Sequence, residues 1–292
     1  MKSQLATIAV LGAGTMGRGI AHVAALGGYD TRLYDVSAEV LDDARRTIER
    51  NLAKGVDRGK VERSAADAAL GRLALRRELA AAVAGSDLVI EAVPEDMRLK
   101  VELLAEVARH TDEQTLLASN TSGLSITEMA AACGRPRRFA GMHFFNPVHL
   151  MRLVELVRGL DTDEETLAAM AAAAARMGKE VVVVRESPGF VTSRVNALIG
   201  NEAFRMLESG VASPEDIDKA LELGLNHPMG PFAMVDLVGL DVRLSILEHL
   251  HATLGESYRP SNLLRQYVKA GRLGRKTRRG VYTYDAEGNR LG

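Results

Sequence analysis

The chain of 292 residues has no tryptophan, a single cysteine, 4% aromatic residues and a formal net charge of only −1. One cysteine, Cys133, excludes a disulfide framework and any zinc site built on thiolates. It closes an alanine-rich helical segment, where a thiol acts as a small hydrophobe. Balanced charge gives no overall attraction to a polyanion or to an anionic membrane. No apolar run is long enough to span a bilayer, and the N-terminus shows no charged, apolar and cleavage-site pattern. The expectation is a soluble, cytoplasmic protein with no membrane partner. The basic tail from Gly274 to Tyr284 has no repeat and no aromatic platform beside it, which argues against a nucleic-acid partner. No metal site is expected.

What is present is an apolar content of 47%, enough for a full core in each of two domains. A short apolar strand over residues 6–11 runs into Gly12, Ala13, Gly14, Thr15, Met16 and Gly17, and a helical stretch follows from Arg18 to Leu26. This is the G-x-G-x-x-G loop in its strand-to-helix context, where a pyrophosphate meets the backbone at a helix N-terminus. A second strand ends in Asp35, eighteen residues after Gly17. An acid there accepts hydrogen bonds from a ribose 2′-hydroxyl and repels a 2′-phosphate, so the cofactor expected is NAD rather than NADP. Asn51, Lys54, Arg58 and Lys60 form a polar cluster at the end of the next helix, either a solvated face or a grip on phosphates.

Residues 86–94 read as a buried parallel strand whose carboxyl end carries Glu91, Glu95 and Asp96. Lys100, one helical turn on, suits a plain intrahelical ion pair; the strand end, however, borders the ligand crevice of an open α/β sheet. Asn120 and Ser122 lie in the polar loop after the next strand, and Ser125 is placed to cap a helix. Then comes a strand from Phe139 to Phe145, the Asn146–Pro147 step, and an apolar run from Leu150 to Val157 broken by Arg152 and Glu155. A carboxylate in such a run needs a partner, and His143 is the most economical one. The pair is either a general base with its orienting acid or a structural ion pair. The segment Glu186 to Phe190 has the composition of an interdomain break, and beyond it the pattern is helical, including one helical stretch from Met234 to Leu254. The expected architecture is a Rossmann-type, doubly wound, mostly parallel α/β sheet over residues 1–186. A smaller all-helical domain for substrate binding and dimerisation follows over 187–292. The helical part carries more apolar faces than a domain of its size needs alone, so a homodimer is expected.

With these pieces assembled, the chain resembles the 3-hydroxyacyl-CoA dehydrogenase family, especially its short bacterial 3-hydroxybutyryl-CoA type. The likeness runs nearly end to end, through the glycine loop, residues 119–122, 143–147 and 187–190, His227 to Pro231, and Gly274 to Thr277. The resemblance implies that His143 is the base, that Glu155 orients it and that Ser122 hydrogen-bonds the reacting oxygen. It implies that Asp35, Glu95, Lys100, Asn146 and Lys276 line the crevice for NAD and an acyl-CoA, and that the helical domain closes over the acyl chain and dimerises. Two residues depart from the pattern. Ser193 stands where many relatives carry Asn, and Arg278 stands where the family usually has Gly in a tight turn. His22, His110, His149, His249 and His251 have no obvious crevice position in the sequence. Two rivals stand beside this reading: a dehydrogenase of another hydroxy acid or sugar acid, and an NAD-binding structural protein.

Overall fold

Six strands run parallel in the computed structural model, which describes residues 5–291, and two more complete the sheet in the reverse direction. The first strand, β1 (Thr7–Leu11), is buried from Ile8 onward, as expected of a parallel strand covered on both faces. It leads into α1 (Thr15–Leu26), whose buried side is made of small and branched residues such as Ala21, Ala24 and Ile20. Next come β2 (Asp30–Tyr34), α2 (Ala38–Asp57), α3 (Arg63–Arg72) and β3 (Leu73–Arg76). The sequence reading missed α3, which buries only Ala66 and Ala69 and carries a weak apolar period. In α2 the buried residues Leu41, Ala44, Ile48 and Leu52 form a single stripe, and Ser37 caps its first turn by accepting from the Val40 N–H.

The chain then crosses to the other side of β1 through α4 (Leu79–Val83), β4 (Leu88–Glu91), α5 (Met97–Arg109), β5 (Leu116–Ser119), α6 (Ile126–Ala132) and β6 (Phe139–Phe144). The resulting strand order β3-β2-β1-β4-β5-β6 reverses between β1 and β4, the switch point beside which open α/β sheets bind ligands. β7 (Leu153–Arg158) turns back antiparallel against β6, and β8 (Glu180–Arg185), reached through α7 (Glu164–Arg176), runs parallel to β7. That reversal sets His143 directly opposite Glu155.

The chain divides into two compact units, with the break between Ser187 and Pro188. The second unit consists of α8 (Thr192–Glu208), α9 (Pro214–Gly224), α10 (Pro231–Val238), α11 (Leu240–Leu254), α12 (Asn262–Lys269) and a short hairpin of β9 (Thr283–Tyr284) and β10 (Arg290–Leu291). Its core is built on Phe204, Phe232, Leu240, Leu247 and Leu264. The single helical stretch expected from Met234 to Leu254 is two helices. Gly239, at φ 107°, breaks it where the side chain of any other residue would meet Asp241. The tail is stapled to the helices by two buried acids. Asp236 accepts from the Val281 and Tyr282 N–H groups and from the Tyr284 hydroxyl. Asp218 accepts from the Phe232 and Ala233 N–H groups and from the Tyr282 hydroxyl. Arg278 takes the left-handed conformation, φ 57°, so the turn that favours glycine forms with arginine in place. No helix among the described residues is long and apolar enough to cross a membrane.

Candidate active site

The glycine loop fits a dinucleotide. Gly12 sits at φ 93°, and a Cβ there would lie 2.8 Å from the Ala92 carbonyl oxygen, so only glycine makes this turn. A Cβ at Gly17 would fall onto the Gly12 carbonyl, which is how α1 starts so close to β1. Gly14 faces open space: it caps α1 with no side chain, leaving the helix N-terminus clear for an anion. Thr15 is exposed beside it and Met16 is half-buried. Asp35 closes the other side. Its carboxylate accepts from the Ala13 N–H at 2.9 Å and the Ser37 N–H at 3.0 Å, which fixes its orientation at the end of β2. Ala13 is itself buried and acts through that N–H.

At the end of β4, Glu91 is fully buried and accepts from the Lys100 ammonium at 2.7 Å, the Val93 N–H at 2.7 Å and the Ser119 hydroxyl at 2.5 Å. Lys100 is also fully buried and reaches Glu95 at 3.3 Å. The ion pair with Glu95 expected from sequence is present, and a second, shorter one joins it. The shorter contact is to the strand-end Glu91, at 2.7 Å. Glu95, exposed at the surface, accepts from the Thr121 hydroxyl at 2.7 Å and from the N–H and hydroxyl of Ser122 at 2.8 and 3.1 Å. Burial alone would raise its carboxyl, but Lys100 and these hydrogen bonds outweigh it and hold the group below the usual carboxylate range. Thr121, which the sequence reading passed over, is completely buried and also accepts from the Gly123 and Leu124 N–H groups, so it shapes the Ser122 loop.

Ser122 and His143 stand at the ends of the neighbouring parallel strands β5 and β6. Asn120 ties the two together, its side-chain oxygen accepting from the Phe144 N–H at 2.8 Å. His143 Nδ1 lies 2.8 Å from Glu155 Oε2, with Glu155 1% and His143 8% exposed. An ionised carboxylate only accepts, so Nδ1 carries the proton and Nε2 is the basic nitrogen of the neutral ring. The loop beyond, with a cis Asn146–Pro147 bond, is held by Lys179, whose buried ammonium donates to the Val148 and Met151 carbonyls. Asn146 and Asn51 line one cavity together with His22 and His149, two histidines that the sequence left without a place. Lys54 is exposed farther along α2, and Arg58 is exposed at its C-terminal cap. In the helical unit, Ser193 is half-buried in the first turn of α8, and Lys276 donates to Asp241 at 2.6 Å.

Two family descriptions match the chain: "3-hydroxyacyl-CoA dehydrogenase, NAD binding domain" over residues 7–187 and "3-hydroxyacyl-CoA dehydrogenase, C-terminal domain" over 189–284. A probable 3-hydroxybutyryl-CoA dehydrogenase of Bacillus subtilis is 47% identical over 283 residues, covering 97% of this chain and 98% of that protein. The 3-hydroxybutyryl-CoA dehydrogenase of Bradyrhizobium diazoefficiens is 46% identical, with 97% of each chain covered. Among solved structures, the (S)-3-hydroxybutyryl-CoA dehydrogenase of Ralstonia eutropha superposes with a TM-score of 0.94 at 42% identity, over 97% of this chain and 100% of that one. With both domain descriptions matched and relatives of this similarity along nearly its full length, the chain belongs to the 3-hydroxyacyl-CoA dehydrogenase family.

Proposed function

We propose that the protein oxidises the 3-hydroxyl of short-chain L-3-hydroxyacyl-CoA thioesters, 3-hydroxybutyryl-CoA above all, to the 3-ketoacyl-CoA, reversibly and with NAD. The observation that carries this reading is the buried His143–Glu155 pair beside the Ser122 loop, next to a glycine loop shaped for a dinucleotide. When bound, NAD supplies the acceptor for the hydride that leaves C3. His143 Nε2 takes the hydroxyl proton. Glu155 keeps the ring in the tautomer that exposes Nε2 and stabilises the imidazolium that forms, as the acid does in a Ser-His-Asp triad. Ser122 turns its hydroxyl to the reacting oxygen while its N–H stays on Glu95.

Gly12 to Gly17 and Asp35 hold the dinucleotide, and Glu95, steadied by Lys100, borders its nicotinamide end. Asn120 and Asn146 frame the reacting centre. Asn51, Lys54 and Arg58 serve the CoA moiety. In this reading residues 1–186 form the NAD domain, and 187–292 form the substrate and dimerisation domain of a cytoplasmic homodimer in fatty acid or butanoate metabolism. Exposed Val191, Val195, Leu237 and Val242 of the helical unit support the dimer. The deciding experiment is NADH consumption with acetoacetyl-CoA beside a panel of keto acids without CoA. Turnover confined to the thioester is the expected result; equal turnover of a free keto acid would sink the substrate assignment.

A further inference from the structure

Eight of the chain's 37 Lys and Arg residues fall between Ser257 and Tyr284, and none of its 38 Asp and Glu residues do. This stretch is therefore a positive pole on a molecule whose net charge is only −1. Such runs are commonly plain solvated faces, with each charge answered by a nearby acid. Here three are answered: Arg259 by Glu256, Arg265 by Glu248 and Lys276 by Asp241. The other five have no carboxylate within ion-pair distance among the described residues. Four of those five, Arg272, Arg275, Arg278 and Arg279, lie close together in the chain, around the turn that follows α12.

The turn that carries them is firmly held. Gly274 and Arg279 exchange backbone hydrogen bonds, the Arg278 N–H donates to the Arg275 carbonyl, and the Tyr284 N–H donates to the Arg278 carbonyl. Two guanidinium groups lie over aromatic rings, Arg272 at 5.0 Å from the centre of Tyr267 and Arg275 at 5.4 Å from that of Tyr284. A cation held against a ring face has less freedom to lose when it binds an anion. Arg278 is the unusual member. At φ 57° it bears a backbone strain that glycine would not. Its side chain is exposed and makes no hydrogen bond or ion pair among the described residues. What the arginine contributes in place of glycine is turned outward.

We propose that the turn from Arg272 to Arg279 is a docking surface for an acidic segment of another protein, whose Asp and Glu carboxylates pair with Arg272, Arg275, Arg278 and Arg279. The guanidinium fork matches a carboxylate with two parallel hydrogen bonds. The surroundings separate this partner from other polyanions. A single-stranded nucleic acid needs a free aromatic face for its bases, and here Tyr282 and Tyr284 are buried while Tyr267 lies under Arg272. A membrane surface is gripped by apolar side chains beside the charges, and no large apolar side chain is exposed between Gly255 and Tyr284 among the described residues. A contact made of charge alone is salt-sensitive and quick to form and release, the behaviour of a transient protein partner.

The test titrates the full chain, saturated with NADH, into fluorescein-labelled oligoglutamate and follows anisotropy at low salt and at about 0.15 M salt. Saturable binding that weakens as salt is added is expected. Arg278→Gly should raise the Kd about threefold and, by relieving the backbone, raise Tm by about 2–4 °C. Arg278→Gly with Arg279→Ser should raise the Kd about tenfold, with kcat and the KM values for NADH and acetoacetyl-CoA within about twofold of wild type. Arg76→Ser with Arg77→Ser, on the sheet-bearing unit, removes the same charge and should leave the Kd within about twofold. No saturable binding at low salt, a Kd that the turn variants leave unchanged, or an equal loss in the control pair overturns the proposal. Tighter binding to oligothymidylate or to phosphatidylserine vesicles than to oligoglutamate overturns the choice of partner. A lower Tm in Arg278→Gly, or a raised KM for NADH, would tie the arginine to the fold or to the cofactor and overturns the proposal as well.

Discussion

The two units differ in how they hold the acids beside the candidate site and the acids that fasten the tail. In the sheet-bearing unit two fully buried acids meet a cation or a histidine: Glu91 pairs with Lys100, which also reaches the exposed Glu95, and Glu155 holds His143. In the helical unit the two buried acids meet only neutral donors. Asp218 and Asp236 are surrounded by backbone N–H groups and tyrosine hydroxyls, and burial keeps both carboxyls above their ordinary value despite those bonds. The cation of that unit is buried separately. Arg243, 2% exposed, finds no partner for Nε among the described residues, and burial draws its guanidinium down to about 10. Neutral donors are enough to fasten a tail to a helix. Paired charge appears where side chains are held at the ends of the strands, beside the candidate site.

That contrast can be broken at four points. The largest effect is expected from Lys100→Met, which strands two acids and should cost about 3–5 kcal/mol in denaturant unfolding. Adding Glu91→Gln should recover much of the loss. If the single variant is as stable as wild type, the ammonium is not what balances these acids. Next is His143→Gln, which should lower kcat by about a hundredfold or more, with NADH affinity and Tm preserved. Glu155→Gln should lower kcat less and spare NADH binding, since the imidazolium loses its counter-charge. Unimpaired turnover in His143→Gln would make the pair structural.

A smaller effect, about tenfold in the NAD over NADP ratio of kcat/KM, should follow Asp35→Ala combined with Val36→Arg. An unchanged ratio would mean that the acid at the end of β2 does not read the ribose.

The smallest effect concerns pH. The folded-state value of Glu95 is lowered, so its stabilising contribution is present above the ordinary carboxylate range and is lost as pH falls through the lowered value. Asp218 and Asp236 are raised, so they favour folding at low pH and lose that contribution as pH rises through their raised values. Hydrogen exchange resolved by unit, from about pH 7 down to about pH 4, should therefore show protection shifting toward the helical unit. Asp218→Asn with Asp236→Asn should flatten the helical unit's response. A parallel decline in both units, unaltered by those substitutions, would contradict the contrast.

Much of this was legible in the sequence because it depends on local rules. The glycine loop announces itself by lying between a strand and a helix, and Asp35 by its distance from Gly17. The His143–Glu155 pair is visible because an acid in an apolar run demands a partner, and an antiparallel return supplies it across the Pro147 turn. The Lys100–Glu91 contact was not legible, since it joins a strand end to a helix across an intervening loop, and Glu95 offers a nearer partner in sequence. The break at Gly239 was hidden because both flanking helices are apolar enough to read as one. His22 and His149 come together only through the packing of α1 against the loop after β6, which no spacing records.

The register of β6 against β7 has a consequence for how such a protein can change. His143 faces Glu155 because the two backbones are laddered residue to residue, so the histidine is fixed by the lattice of the sheet and not by the loop that joins the strands. A single residue inserted into either strand turns the histidine to the opposite face. Residues added between Asn146 and Leu150 leave it where it is, provided that Lys179 keeps its two carbonyls. The paired side chains and the loop beside them are thus separately editable: the loop can drift in length and sequence while the pair beneath it stays in place.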